Sequence, residues 1–192
     1  MDPIYIELAT LLKGKLALSE QDIAPAERLF KPVDIRKGQH LLVKGQIADR
    51  LYFINNGCLR LYYSHENLSM ATRFMAFEHT FLTSIVSFIS RNPSAEYIEA
   101  VEESQLLAIT HQDFFRLRSQ MPVWDKVYVY ILEYGLTVIN NRLSGLITQN
   151  ATERYRNLLR DNPELIQRLS NVNLASYLNI SPETLSRIKS NL

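Results

Sequence analysis

Residues 171–188 read Asn-Val-Asn-Leu-Ala-Ser-Tyr-Leu-Asn-Ile-Ser-Pro-Glu-Thr-Leu-Ser-Arg-Ile, and few folds accommodate that order. Leu174, Leu178, Ile180, Leu185 and Ile188 fall where two short crossed helices need apolar contacts to hold a fixed angle. Ala175 is small enough to let the second helix come close. Asn179 stands where a tight turn needs a left-handed residue, a conformation Asn tolerates far better than branched residues do. Ser181 is then the expected N-cap, with Pro182 at the first helical position. The spacing, turn residue and cap together predict a helix-turn-helix.

In such a motif the N-terminal end of the second helix is the part that enters a DNA major groove. Glu183 can accept from cytosine, Arg187 can pair bidentately with guanine, and Thr184 can reach a base or a phosphate. Ser181 lies at the tip of the same helix and Lys189 further along it, toward the DNA backbone. Ser170 and Asn171, at the start of the first helix, can bond phosphates and set the register. The competing reading is an ordinary helical hairpin in which Glu183 and Arg187 form an i, i+4 surface pair. Net charge does not decide between them, because it is only +1 for the whole chain. Residues 149–192 hold six Lys or Arg against four Asp or Glu, and the remainder holds fifteen against sixteen. The expectation of double-stranded DNA as a partner therefore rests on the geometry of the motif.

Upstream the texture changes twice. Residues 1–30 read as short helices, with Ser19-Glu20-Gln21-Asp22 resembling a capping box ahead of Ile23, Ala26, Leu29 and Phe30. From Val33 to about Thr110, β-branched and aromatic runs alternate with turns at Lys37-Gly38, Lys44-Gly45, Asn55-Asn56-Gly57, His65-Glu66-Asn67 and Arg91-Asn92-Pro93. That alternation predicts a small antiparallel barrel or roll. The clearest expected hairpin joins Leu51-Tyr52-Phe53-Ile54 to Leu59-Arg60-Leu61-Tyr62-Tyr63 through Asn55-Asn56-Gly57.

Between residues 122 and 150 the period becomes helical, with Pro122 where a helix would start. Two apolar stripes run along it: Val127, Ile131, Tyr134 and Val138, and Leu132, Leu136, Ile139, Leu143 and Leu146. A helix apolar on two faces must bury both, so one stripe can cover the chain's own strands while the other meets a second copy. Val127, Ile131, Tyr134 and Val138 are assigned to the dimer contact, and a helix wholly inside one core is the alternative. Residues 152–159 read as a linking helix that supports the reader, with Pro163 soon after it. The expected organisation is α+β: an antiparallel β-roll with N-terminal helices over 1–120, a long dimerisation helix over 121–148, and a helix-turn-helix domain over 149–192.

Other function classes find little support. Cys58 is the single cysteine, so no internal disulfide or cysteine metal site can form, and a buried thiol in a reducing cytosol is expected. The start lacks a signal-like charged and apolar run, and the most apolar later stretch, 80–90, is too short to span a bilayer, which points to a soluble cytoplasmic chain without membrane partners. His40, His65, His79 and His111 are scattered without metal-ligand spacing, so no haem, zinc or catalytic residue is expected. A metal-dependent β-barrel enzyme of the cupin kind would need a His-x-His pair, which is missing. A protein-interaction module with a helical tail is the third reading.

With a β-roll, a long helix and a helix-turn-helix in that order, the chain resembles the cyclic-AMP receptor protein and fumarate-nitrate regulator (CRP/FNR) superfamily of transcription factors over nearly its whole length. The resemblance is carried by Lys37-Gly38, Leu51-Tyr52-Phe53-Ile54 with Gly57, and above all Ile180-Ser181-Pro182-Glu183-Thr184-Leu185-Ser186-Arg187-Ile188. It implies a homodimer on a palindromic operator, with RNA polymerase as a candidate partner and the roll as an effector sensor or a vestigial cyclic-nucleotide domain. The family's recognition helix usually offers Arg, Glu and Arg; Glu183 and Arg187 match two of these, and Pro182 replaces the first Arg. With the sequence ending four residues after Ile188, little or no wing is expected.

Members that bind cyclic nucleotides carry a Gly-Glu pair and, later, Arg followed by Ser or Thr, which hold the cyclic phosphate and the ribose. Thr83-Ser84 and Ser94-Ala95 stand at those positions here. The pocket has lost its carboxylate and its arginine, so cyclic AMP is not the expected ligand, and no cofactor is expected. Arg73 and Arg91 are the candidate replacements for the lost cation. Tyr52 and Tyr97 can line an altered pocket for an unnamed small-molecule effector, or can simply pack in the core.

Overall fold

The computed structural model describes residues 2–64 and 70–191, so the turn expected at His65-Glu66-Asn67 lies outside the described residues. Three short helices come first, α1 (Ile6–Leu16), α2 (Glu20–Ile23) and α3 (Ala26–Leu29). The capping box expected at α2 is present, with the Ser19 side chain accepting from the Asp22 backbone and the Asp22 carboxylate accepting from Ser19 N at 2.9 Å. The strands follow: β1 (Lys31–Ile35), β2 (His40–Leu42), β3 (Arg50–Asn56), β4 (Leu59–Ser64), β5 (Met70–Ala76) and β6 (Phe81–Leu82). Helix α4 (Ile85–Ser90) precedes β7 (Tyr97–Ala100) and β8 (Ser104–Thr110), and α5 (His111–Gln120) closes the roll. Thr110 caps α5 by accepting from Asp113 N at 3.1 Å.

Two four-stranded sheets make up the roll, in the orders β1-β8-β3-β6 and β2-β7-β4-β5. The pairings β1/β8, β2/β7, β3/β6 and β3/β8 are antiparallel. The expected hairpin between β3 and β4 does not form, although both strands are present. They belong to different sheets, and residues 55–57 turn a corner between them. A two-residue type I′ reversal needs positive φ at two successive positions, and here Gly57 alone has it, at 106°. A side chain at Gly57 would fall on Ser104 Oγ, which accepts a 3.2 Å bond from Cys58 N. Close approach of β8 is thus a second reason for glycine at this corner.

The chain divides into two compact units: Met1–Leu61 with Met75–Tyr134, and Tyr62–Phe74 with Gly135–Leu192. The first is cored by Phe30, Phe53, Phe88, Phe114 and Trp124, all essentially inaccessible. Trp124 Nε1 donates to Asp22 O at 2.9 Å, satisfying the indole's one donor where it would otherwise be stranded.

Pro122 begins a single 3-10 turn, Pro122–Trp124, and the long helix α6 (Asp125–Thr148) starts only after it. The division between units falls within α6, at Tyr134/Gly135, rather than at its ends. The assignment of Val127 to a dimer contact is corrected here, because Val127 is wholly buried inside its own unit. Ile131, Tyr134 and Val138, from the same stripe, are half-buried. The exposed apolar residues of α6 are Val129, Leu136, Leu143 and Ile147, at 47, 61, 52 and 74%, with Leu146 at 37%. Spacing showed that two faces are apolar; the packing of the aromatic core shows that Val127 belongs to the inward one.

In the second unit α6 is followed by α7 (Ala151–Asp161), α8 (Pro163–Arg168), α9 (Asn171–Leu178) and α10 (Pro182–Ser190). Asn150 and Glu153 form a reciprocal capping box at α7, which accounts for its abrupt start. Leu174, Ala175 and Leu185 have no exposed surface, and Leu178 and Ile188 very little, so they form the small core that fixes α9 against α10.

Candidate functional site

Local chemistry sets the angle between α9 and α10. Asn179 adopts the left-handed conformation, φ 55° and ψ 50°, and Ile180 N donates back to Ala175 O at 3.0 Å. This is a Schellman-type stop, closed by Asn in place of glycine. Ser181 Oγ accepts from Thr184 N at 3.2 Å, and Pro182 opens α10.

The core-facing residues of α10 leave the others outside. Ser181, Pro182, Glu183, Ser186, Arg187 and Lys189 are exposed and Thr184 is half-buried. Ser186 was not singled out from the sequence, yet it sits three residues past Glu183 and beside Arg187 on the same exposed side; the i, i+3 spacing was the available signal. Arg187 Nη2 rests on Thr184 Oγ1 at 3.4 Å. The Glu183 carboxyl is held below its ordinary range first by the Ser181 side chain, then by its own backbone N–H, and least by the Arg187 charge. It is therefore an ionised acceptor at the positive end of α10.

The remaining expected contacts are present but engaged. Lys189 Nζ donates to Asn171 Oδ1 at 2.6 Å, bracing the far end of α10 against the start of α9. Ser170 Oγ accepts from Asn173 N at 3.2 Å as the N-cap of α9. Behind the motif, Arg154 of α7 donates to Leu178 O at 3.3 and 3.1 Å and to Gln149 O at 2.7 Å, placing a cation on the carbonyl end of α9. Arg142 of α6 lies over the Tyr177 ring at 4.6 Å. Burial lowers its pKa, Tyr177 opposes that shift, and Arg154 and Arg73 add to it. On the exposed side of α9, Ser176 Oγ accepts from Thr72 N at 3.0 Å and donates to Met70 O at 2.8 Å, so one hydroxyl satisfies both a donor and an acceptor of the β5 backbone.

The second set of expected residues lies around α4. Thr83, Ser84 and Ser94 are buried together, whereas Ala95 is exposed and takes no part. The residue that joins them is Glu96, 4% exposed, which the sequence reading did not identify. Ser84 Oγ donates to Glu96 Oε2 at 2.6 Å, Ser94 Oγ lies 3.0 Å from Ser84 Oγ, and Ser94 Oγ also accepts from Glu96 N at 3.0 Å. Thr83 Oγ1 donates to Arg50 O at 2.9 Å. Glu96 thus lies among the residues that the resemblance aligns with a cyclic-nucleotide pocket. Arg91 does not supply the lost cation, because it is bonded elsewhere. Arg91 donates to Ala48 O at 2.8 Å and to Asp49 Oδ1 at 2.7 Å, and Arg73 belongs to the other unit. Tyr97 meets the His40 ring edge-on at 5.8 Å, while Tyr52 borders a cleft in the roll.

No helix among the described residues is long and apolar enough to cross a membrane. No curated protein matches the sequence. Residues 32–121 match the cyclic nucleotide-binding domain model. Among solved structures the chain is similar to FixK2 from Bradyrhizobium japonicum, at 15% identity and a TM-score of 0.76, covering 85% of this chain and 84% of that one. It is also similar to the c-di-GMP responsive global regulator CLP from Xanthomonas campestris, at 16% identity and a TM-score of 0.75, covering 90% and 91%. A mutant of CooA from Carboxydothermus hydrogenoformans aligns over 100% of this chain and 84% of its own, at 15% identity and a TM-score of 0.70. Residues 32–121 accordingly resemble a cyclic nucleotide-binding domain, and the chain as a whole shares the fold of these solved structures.

Proposed function

We propose that this chain is a DNA-binding transcription regulator that acts as a homodimer on a palindromic operator. The observation that carries the reading is α10: an exposed N-terminal end bearing Glu183, Ser186 and Arg187, held over buried Leu185 and Ile188 by the Asn179 turn and the Ser181 cap. Glu183 suits a cytosine amino group and Arg187 a guanine. Thr184 and Ser181 reach the same groove, while Ser170 and Asn171 lie where phosphates would pass.

The dimer reading rests on α6. Val129, Leu132, Leu136, Ile139, Leu143 and Leu146 repeat at spacings of three and four, and four of the six are exposed in the single chain. That is the seam of a two-stranded coiled coil. A pair of such helices would set two recognition helices about one DNA turn apart. The reading implies RNA polymerase as a further partner and places the chain inside the cell with the DNA. With Thr83-Ser84 and Ser94-Ala95 at the positions that the resemblance aligns with the pocket, and Glu96 bonded to Ser84 beside them, cyclic nucleotide is not the ligand we propose for the roll.

Selection of bound sequences from a random duplex library, with wild type and Arg187→Ala at two salt concentrations, tests the reading. The expected result is an enriched palindrome whose specificity relaxes in Arg187→Ala, with affinity falling as salt rises. Lack of enrichment at low salt, persisting when cell extract is added, would instead favour a tail that binds protein.

A further inference from the structure

The first unit contains a cleft of about 330 Å³ whose lining includes His40, Leu42, Ala48, Arg50, Tyr52 and Ile98. None of Thr83, Ser84, Ser94, Ala95 or Glu96 borders it, although Thr83 and Ser94 hydrogen-bond the backbone of the lining residues Arg50 and Gln46. Its volume is at the lower end of small-molecule sites, enough for a body on the order of ten non-hydrogen atoms.

Among the described residues, the Tyr52 hydroxyl and the Arg50 guanidinium on its wall lack partners. Tyr52 is only 5% exposed, yet among the described residues its hydroxyl makes no hydrogen bond. A phenol buried to that degree ordinarily finds an acceptor. Asn55 Oδ1 is the fully enclosed side-chain atom left without a partner among the described residues, so the Tyr52 hydroxyl retains access to solvent, and the cleft is the opening beside it. Burial raises the Tyr52 pKa, Arg50 opposes the shift and Asp49 adds to it. Arg50 and Asp49, whose charges act on the phenol, line the same cleft as Tyr52.

Asp49 is already matched, at 2.7 Å from Arg91 Nη2. Arg50 is exposed and forms no ion pair among the described residues. A neutral O–H donor and an unmatched guanidinium on the wall of one cleft suit a carboxylate. The remaining wall, from Leu42, Ala48 and Ile98, is aliphatic and suits an apolar body.

The geometry points to this cleft as a binding site for a small monocarboxylate with an apolar body, its carboxylate shared between Tyr52 Oη and the Arg50 guanidinium. The site is built within the first unit and does not depend on the DNA-binding reading. It is tested on the full chain without DNA, by titrating hexanoate, benzoate, hexanamide and hexylammonium while following backbone amide shifts. Saturable shifts centred on Tyr52, Arg50 and Ile98 are expected with the two acids, weaker ones with hexanamide, and none with hexylammonium. Tyr52→Phe and Arg50→Gln are each expected to weaken the acids about tenfold, the usual worth of one hydrogen bond to a charged group. Arg50→Gln alters an exposed side chain and leaves the core untouched, so it remains informative if Tyr52→Phe folds poorly. The proposal is overturned if neither acid saturates up to its solubility, if hexylammonium binds as well as hexanoate, if the shifts centre on Ser84 and Ser94, or if Arg50→Gln leaves affinity unchanged.

Discussion

Ser84 Oγ donates a 2.6 Å hydrogen bond to Glu96 Oε2 in the interior of the roll, twelve residues away in sequence. Glu96 is bonded through its side chain to Ser84 and through its backbone to Ser94, among the residues that the resemblance aligns with a cyclic-nucleotide pocket. Calorimetric titration of the wild-type chain with cyclic AMP is expected to show no saturable heat. Glu96→Leu leaves the Ser84 hydroxyl without its side-chain acceptor, keeps the backbone bond to Ser94, and should cost about 1–3 kcal/mol in urea denaturation. Tight cyclic AMP binding by the wild type would contradict this account of Ser84, Ser94 and Glu96.

The two faces of α6 should respond differently to substitution. Leu136→Glu and Leu143→Glu place charge on exposed apolar positions and are expected to yield a folded monomer by analytical ultracentrifugation. Val127→Ala removes buried methyl groups within one chain and should lower protomer stability by about 1–3 kcal/mol without changing the assembly state. A monomer produced by Val127→Ala, with Leu136→Glu silent, would reverse the assignment of the faces.

At the turn between α9 and α10, Asn179 has φ 55°. Asn179→Gly should retain stability, while Asn179→Val should lose about 1–2 kcal/mol, the usual cost of placing a side chain in the left-handed region. Thermal unfolding of both variants checks this.

At the corner between sheets, Gly57→Ala should be among the most damaging small substitutions, at about 2–4 kcal/mol from combined backbone strain and overlap. Because the overlapping atoms belong to Ser104, the double variant Gly57→Ala with Ser104→Gly should recover part of that loss. Chemical denaturation of the single and double variants reads the coupling directly.

His111 lies between the Phe88 ring at 5.0 Å and the Phe115 ring at 4.4 Å. Burial pushes its pKa below 6.5, and Arg91 pushes it in the same direction against the opposing Asp49 charge. The unfolded chain therefore binds this proton more readily than the folded one, so the stabilisation it contributes is present above pH 6.5 and is lost as pH falls through the lowered folded-state value. Urea midpoints measured from pH 8 to pH 4.5 should fall less steeply below pH 6.5 in His111→Phe than in wild type.

Features governed by near neighbours were legible in the sequence. The helix-turn-helix needs only the Ser181 cap, the Asn179 turn and five apolar positions within eighteen residues, all acting over one or two helical turns. The capping box at Ser19 is local in the same sense. Other features were decided by tertiary structure. Leu51 to Ile54 of β3 are buried on both faces, so their pattern carried no information about which strand would lie alongside, and β8 rather than β4 took that place. Helical spacing showed that α6 has two apolar faces, but only the fit against a core containing Trp124 directed Val127 inward and left Leu136 outside. The union of Ser84, Ser94 and Glu96, and the cleft beside Tyr52 and Arg50, likewise depend on strands and loops distant in sequence. Local hydrogen bonding and periodicity specify elements; which elements meet is settled by non-local burial, which no short window of sequence contains.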